Sequence, residues 1–288
     1  MFAVYKREFR AYMTNVYGWL FMAVLLLFVG FMTFLENLIG GAPFIEYALL
    51  SGEYVLILLI PVLCMRSMAE DKRNKTDMFY LSLPMKTTAV VLGKYLALLT
   101  VYAIPCAVIA TYPVLLGMFG EVNFAGAYSA ILFFFLLGAA LIAVCQFVSS
   151  LTDNLVVAAV LGVVGTLVLF ALPLLGYMLP ETALISYIGL VVLAILAAGI
   201  AYLTTRNLMV TTVTAALLIL PLSVIYFLMG EKFVGLLPAV LEWVGPFIHF
   251  EEACNYGLFS IPSFVLLLSY PVFFVFLTVQ SADKKRWA

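Results

Sequence analysis

The stretch that decides the fold runs from Val122 to Thr152, VNFAGAYSAILFFFLLGAALIAVCQFVSSLT, and has 31 residues without a charged side chain. A hydrocarbon core about 30 Å thick is crossed by roughly 20 helical residues. This run is therefore long enough to span a membrane as one helix. A strand of a membrane barrel would be about 10 residues long and would alternate apolar with polar side chains, which this run does not do.

Six further charge-free runs are long enough to span: Ala11–Leu35, Tyr95–Gly120, Asn154–Pro180, Thr182–Thr205, Asn207–Gly230 and Ala253–Ala282. An eighth candidate ends at Met65, but it must extend back through Glu53 to about Phe44 to reach a spanning length. Because backbone groups in lipid must be paired within the segment, we expect helices throughout. The predicted fold is all-α: one transmembrane domain over residues 1–288, a polytopic helical bundle of about eight spans.

The composition excludes several classes of protein. Apolar residues make up 66% of the chain and charged residues only 10%, so a water-exposed surface cannot be covered with polar groups. The chain is therefore neither a soluble enzyme nor disordered. Its net charge of −1 provides no field that would attract a nucleic acid.

The basic residues predict the orientation. With the N-terminus inside, 13 of the 14 Lys and Arg residues fall on the cytoplasmic side, and only Lys232 falls outside. Both termini are then predicted to be cytoplasmic. That arrangement requires an even number of spans, which either six or eight spans would satisfy.

Residues typical of catalysis form no motif in this chain. Gly93-Lys94 is followed by Tyr95 and lacks the upstream glycine, so it is not a P-loop for ATP. Neither a His-Glu-x-x-His nor a Gly-x-Ser-x-Gly pattern occurs. We therefore predict no catalytic, cofactor-binding or metal-binding residue in this chain, and we interpret its four cysteines as packing residues.

Two residues towards the predicted outer side are candidates for an outer gate or a substrate contact. Glu53 is the one acidic residue near the interior of a span, with a position at the outer headgroups as the simpler alternative. His249 is the only histidine, and it precedes an acidic pair and Cys254. A single histidine is a weak metal signal, and a hydrogen-bonding role in an outer loop is the alternative.

The loop after the second predicted span, residues 66–94, has an unusual composition, with six of the 13 inner basic residues. Apolar spacing over Met65–Ala69 predicts that the second span continues as a helix out of the membrane. The polar stretch Glu70–Asp77 follows, and then a short helix is predicted over 77–83, ended by proline. Such a segment could bind a cytoplasmic partner or could be an ordinary charged loop at the headgroups.

Motif residues follow one another along the chain: Met65-Arg66, Ala69-Glu70-Asp71, Arg73, Thr76, Leu81, Leu83-Pro84, Gly93-Lys94, Ser149–Asn154, Gly245–Glu251 and Lys285-Arg286-Trp287. In this order and spacing the chain resembles the permease subunits of type-2 ABC (ABC-2) transporters, specifically their gliding-motility-associated branch. Two positions depart from the family pattern. The family glycine is Lys75 here, and the acidic residue that follows is displaced to Asp77.

The resemblance implies a division of labour. A separate ABC ATPase subunit would hold ATP and magnesium, and a second permease copy or a paralogous permease would complete the translocation pathway. The assembly would lie in the bacterial plasma (inner) membrane and is expected to be an exporter. The residues expected to contact the ATPase subunit are Arg66, Glu70, Asp71, Lys72, Arg73, Thr76 and Asp77.

One region extends the six spans usual for that family, and an amphipathic segment follows it. Residues 182–230 are predicted to be an inserted transmembrane hairpin, with a re-entrant pair as the alternative. Residues 231–258 are predicted to form an outer amphipathic segment, because apolar residues recur at helical spacing from Phe233 to Val244. That segment could be a gate for a hydrophobic substrate or a lipid-facing brace.

Two other functions stay open from the sequence. A self-contained secondary carrier or channel would transport solute without an ATPase, although proton-driven carriers usually contain paired intramembrane carboxylates that this chain lacks. A membrane-embedded enzyme would need a convincing cluster of His, Asp or Cys near an interface. The surroundings of His249 fall short of one.

Overall fold

The structure is a computed structural model that describes residues 1–42, 44–75, 86–205, 207–228, 230–257 and 259–287. Within these residues the fold is all-α and contains no strand. Eight helical segments of this described part are long and apolar enough to cross a membrane, which confirms the predicted polytopic bundle. The chain is a multi-pass membrane protein.

The helices, in chain order, are α1 (Phe2–Thr14), α2 (Val16–Thr33), α3 (Glu46–Arg73), α4 (Thr87–Ile109), α5 (Tyr112–Leu116), α6 (Phe124–Leu151), α7 (Leu155–Met178), α8 (Ala183–Thr205), α9 (Leu208–Leu228), α10 (Leu236–Val244), α11 (Pro246–Tyr256) and α12 (Ile261–Trp287). A π-helix at Phe34–Ile39 continues α2, and a 3₁₀-helix at Gly230–Phe233 precedes α10.

The first apolar run begins and ends later than the sequence predicts. Asn15 has an extended backbone that separates the basic helix α1 from the first span. The span itself covers Val16–Ile39 rather than Ala11–Leu35, because the π-helix carries it past Glu36. Helix α1 is therefore a separate element.

The chain divides into two compact units, Met1–Leu167 with His249–Val279 and Val168–Ile248 with Gln280–Ala288. In the first unit α6 is the central helix, and most of its residues are buried. Tyr102 of α4 donates a hydrogen bond to the Phe134 carbonyl at 2.8 Å. Its ring occupies the space over Gly138, where a Cβ atom would lie 2.3 Å from the ring. The glycine thus allows α4 and α6 to approach closely.

The second unit is built around the pair α8 and α9. The rings of Tyr187 and Tyr226 stack at 4.4 Å, and Phe233 packs edge-on against Tyr226. Both predicted hairpin runs are therefore helices that pack together. Their status as an insertion stays a prediction.

The region predicted to be an outer amphipathic segment, residues 231–258, contains several short helices. The 3₁₀-helix and α10 are followed by a break at Gly245 and then by α11. Helix α10 begins at Leu236, with Pro238 inside its first turn, where a missing N–H costs no helical hydrogen bond. Leu237 and Leu241 are buried while Trp243 is exposed, so α10 is amphipathic as expected.

Candidate functional site

The polar residues after the second span do not form a loose loop. Helix α3 continues through them to Arg73, as the spacing over Met65–Ala69 predicts. It ends at Asn74, whose N–H donates to the Glu70 carbonyl at 2.9 Å. Lys75 follows with φ of 56°, the left-handed conformation that glycine adopts at least cost. This is the position at which the ABC-2 pattern has glycine.

A buried lysine lies beside this helix end. Lys94, near the start of α4, is 2% exposed. Its ammonium group lies 2.6 Å from Asp71 Oδ2 and 3.5 Å from Glu8 Oε1, and it also donates to the carbonyl of Ser67. We call Glu8, Ser67, Asp71 and Lys94 the Lys94 cluster. Because a buried cation needs paired anions, this cluster fixes α1, α3 and α4 to one another.

The glycine before Lys94 has a physical role in the cluster. A Cβ atom on Gly93 would lie 3.1 Å from both the Met1 carbonyl oxygen and the Val4 Cβ atom. Its absence leaves room for α1 against α4, which brings Glu8 within reach of Lys94. The Gly-Lys pair in the motif therefore combines close helix packing with a buried charge.

A second set of contacts connects α3 to α1 and to the start of α2. The Arg66 guanidinium donates to both carboxylate oxygens of Glu70, at 2.9 and 2.8 Å, and lies 4.7 Å from the centre of the Tyr17 ring. Tyr12 donates to the Leu63 carbonyl at 3.4 Å. Burial raises the pKa of the Tyr12 hydroxyl well above its usual value, so it stays a protonated donor.

The motif Ser149–Asn154 meets the same end of α3. The Ser149 hydroxyl accepts from the backbone N–H groups of Met68 and Ala69, at 3.3 and 3.1 Å, and is placed to donate to the Met65 carbonyl at 3.3 Å. Lys72 donates to the Ser150 carbonyl and lies 3.9 Å from Asp153. Three motifs that are distant in sequence thus converge at one end of the first unit.

The seven residues predicted to contact an ATPase fall into three groups. Arg66, Glu70, Asp71 and Lys72 make contacts within the chain. Arg73 is exposed. Thr76 and Asp77, together with the short helix predicted over 77–83, lie outside the described residues. The ATPase contact itself stays a prediction for all seven.

Sequence reasoning missed three residues of this site as functional candidates: Glu8, Lys94 and Ser149. Lys94 carried a signal, because it is an isolated basic residue at the edge of a long apolar run. Ser149 lay within a recognised motif, but nothing in the sequence showed that its partners are backbone groups of α3. Glu8 stood among basic residues and gave no signal.

The candidates for an outer gate lie towards the other end of α3. Glu53 is 1% exposed, so its side chain is buried within the protein. Its Oε2 atom has no hydrogen-bond partner within the part of the chain that the structure describes, and the carboxyl group of Glu251 is close enough to interact with it electrostatically. His249 Nδ1 lies 3.1 Å from the Ser263 hydroxyl and 3.8 Å from Glu252. No group of metal-ligating side chains occurs among the described residues.

Comparison with known families bears on this geometry. Residues 43–183 match the family described as ABC-2 family transporter protein. The match supports an ABC-2 type transporter permease. The ABC-2 match covers α3, α4, α6 and α7, and so includes Asp71, Lys94 and Ser149, but it excludes Glu8 and His249. ABC-2 permeases are membrane components, generally non-catalytic, and generally act with an ABC ATPase. No curated protein and no solved structure matches the chain.

Proposed function

We propose that this chain is the membrane-spanning permease subunit of an ABC-2 exporter of the gliding-motility-associated branch. It forms the translocation pathway with a second permease copy or a paralogue, in a bacterial plasma membrane with both termini in the cytoplasm. A separate subunit binds ATP and magnesium. The observation that carries the proposal is the match over residues 43–183, together with the convergence of its motifs at the end of α3.

The mechanism requires a stiff connection between the ATPase and the membrane-spanning helices. An ATPase can shift an equilibrium between inward-open and outward-open permease only if it binds the two states differently. A force applied after Arg73 is transmitted only if the end of α3 does not unwind. The Lys94 cluster and Ser149 hold that end against α1, α4 and α6. The cluster therefore serves transmission, and the ATPase contact falls on the exposed residues beyond it.

This division decides which residues can be changed to test the ATPase contact. Replacing the whole of Glu70–Asp77 would also remove Asp71, which pairs with buried Lys94. We instead choose the exposed pair Arg73 and Lys75, both changed to Glu, with Lys232→Glu as the control for a charge reversal elsewhere. The pair should lower ATPase co-purification about tenfold, as expected when charges facing a partner are reversed. Normal binding and normal substrate-stimulated hydrolysis in the pair variant would contradict the proposal.

We propose that the two outer candidates, Glu53 and His249, belong to a gate in the translocation pathway. Glu53 lies buried within the α3 span, and Glu251, which opposes its charge, lies on α11. Loss of a proton from either carboxyl group would strengthen their repulsion. We assign Glu53 to the gate and His249, held by Ser263, to its support. Transport by Glu53→Gln and His249→Gln in inverted vesicles with ATP tests this assignment and the direction of transport. Unchanged transport by Glu53→Gln would contradict the role in gating.

A further inference from the structure

A groove opens between the π-helix that continues α2 and the first turns of α3. Its volume is about 470 Å³, and it is lined by Glu36, Ala42, Tyr47, Leu50, Ser51 and Tyr54. We call it the Glu36 groove. The last four residues recur at i, i+3, i+4 and i+7 spacing and so line a single face of α3. The volume falls within the range of small-molecule sites.

The carboxylate of Glu36 in this groove has few hydrogen-bond partners to offset the cost of taking its charge out of water. Glu36 Oε1 accepts a hydrogen bond from the Ser51 hydroxyl at 3.1 Å. Its Oε2 atom is buried and has no donor among the residues that the structure describes. An ionised carboxylate has room for about four hydrogen bonds, and one neutral hydroxyl offsets little of the cost of leaving water. A cation in the groove would supply the missing compensation.

The other walls fit an organic cation rather than a metal ion. The rings of Tyr47 and Tyr54 are about half exposed, and Leu50 lies between them along the helix. Aromatic faces attract organic ammonium groups, and an apolar chain attached to such a group can pack on leucine. A bare metal ion would need several oxygen ligands, and the groove has only one carboxylate.

The turn that carries Glu36 is well held. The amide of Asn37, the next residue of the π-helix, donates to the carbonyls of Ala42 and Phe44 at 2.8 and 2.9 Å. The Phe44 ring in turn packs edge-on against Tyr47 at 6.1 Å. These contacts hold the π-helix and the start of α3, the two walls of the groove, in place. The groove therefore exists before a ligand arrives. Short π-helices are frequent at functional sites.

We propose that the Glu36 groove binds a primary ammonium group carried on an apolar chain. A primary ammonium has N–H groups that can donate to the Glu36 carboxylate, whereas a quaternary ammonium of the same charge has none. The ligand is either an amine-headed phospholipid or a free alkylamine. Only the identification of a free alkylamine as a transported substrate rests on the proposed function.

Native mass spectrometry of the purified full-length chain tests the proposal. In one arm the chain is mixed with equal amounts of phosphatidylethanolamine and phosphatidylcholine, and in the other with dodecylamine and dodecyltrimethylammonium. We expect about tenfold preference for the primary amine in at least one arm, the size of one charge-assisted hydrogen bond. A preference in the lipid arm identifies a lipid ligand, and a preference in the alkylamine arm alone identifies a free amphiphile.

Three variants make the test specific. Glu36→Gln should reduce the preference to parity, and Tyr54→Leu should weaken retention of both amines. Glu121→Gln, which changes an exposed carboxylate, should leave both unchanged. Equal retention of primary and quaternary amines by the unmodified chain overturns the proposal, as does a preference that survives in Glu36→Gln. The ATPase is absent from this experiment, so its result is independent of the proposed transport function.

Discussion

Helix α3 has a carboxyl group near each end, but the two groups have different surroundings. Towards the C-terminal end, Asp71 lies 2.6 Å from the ammonium of Lys94, which also reaches Glu8 and a backbone carbonyl. Towards the N-terminal end, Glu53 is buried with one oxygen that has no partner within the described residues, and the nearby ionisable group is another carboxyl group, that of Glu251. Asp71 therefore has a cation beside it, whereas no cation among the described residues pairs with Glu53.

This difference indicates which end of α3 is fixed to its neighbouring helices and which end can respond to a proton or a ligand. A buried ion pair loses much free energy if one partner is removed, so helices joined by it stay together. A buried carboxylate without a cation changes its energy readily when a proton or ligand arrives. We therefore interpret the end of α3 that the Lys94 cluster holds as the part that transmits motion. We interpret Glu53 as the part that changes when a proton or a ligand arrives.

The largest expected effect is at Lys94. Lys94→Met removes the buried cation that contacts the partly buried carboxylates of Asp71 and Glu8, and we expect it to destabilise the chain by about 3 kcal/mol, the lower end of the range for a broken buried pair. Thermal unfolding in detergent, followed as the monodisperse fraction, measures the change. Lys86→Met is the control, since Lys86 is exposed at the N-cap of the same helix. Equal unfolding temperatures for the two variants would show that the cluster does not hold the helices.

The comparison itself is tested by neutralising one carboxylate at each end. Asp71→Asn weakens a charged hydrogen bond to Lys94 and should cost about 1.5–3 kcal/mol. Glu53→Gln replaces a buried carboxyl group that has no described cation beside it with a neutral side chain of similar size, and it should be neutral or stabilising. Both are read from the same thermal unfolding assay. A comparable loss in the two variants would remove the distinction between the ends.

A smaller effect is expected where α6 meets α3. Ser149→Ala removes the acceptor for the N–H groups of Met68 and Ala69, and should cost about 1–2 kcal/mol. Ser67 is the matched control, because its hydroxyl is also buried near this end but has no partner among the described residues. Ser67→Ala should be close to neutral. If Ser67→Ala were the more damaging change, the assignment of Ser149 would be wrong.

The smallest effect concerns the residue that follows the helix end. Lys75 has a left-handed backbone, which costs an ordinary residue roughly 1 kcal/mol relative to glycine. Lys75→Gly should therefore stabilise the chain by up to that amount. Lys75→Ala removes the same charge without relieving the backbone and should not stabilise. Urea unfolding of both variants separates the two effects, and a gain in the alanine variant would assign the effect to charge instead.

Most of the fold could be predicted from the sequence, because lipid leaves few alternatives. Charge-free runs of spanning length must be helices, and α8 and α9 follow the predicted runs Thr182–Thr205 and Asn207–Gly230 closely. Boundaries were less predictable. The first span passes Glu36, because the π-helix over Phe34–Ile39 continues it beyond that charge. No pattern local to the first span could indicate this.

The candidate site was predicted only in part. The motifs indicated where polar residues matter, and the continuation of α3 to Arg73 was predictable from helical spacing. The pairing of Lys94 with Asp71 and Glu8 was not, because it joins residues from three separate helices. Burial of Glu53 was equally hidden, since a charge near the end of an apolar run is compatible with either a headgroup or an interior position.

The central claim, that an ATPase acts on the end of α3 held by the Lys94 cluster, can be tested by site-specific cross-linking. All four native cysteines are buried, so Arg73→Cys provides a selectively reactive thiol. A benzophenone maleimide is attached there or at Lys232→Cys, and the complex with the ATPase is irradiated. We predict an adduct with the ATPase from position 73 and none from position 232. An intact complex that gives no adduct from position 73, or gives one only from position 232, would contradict the account.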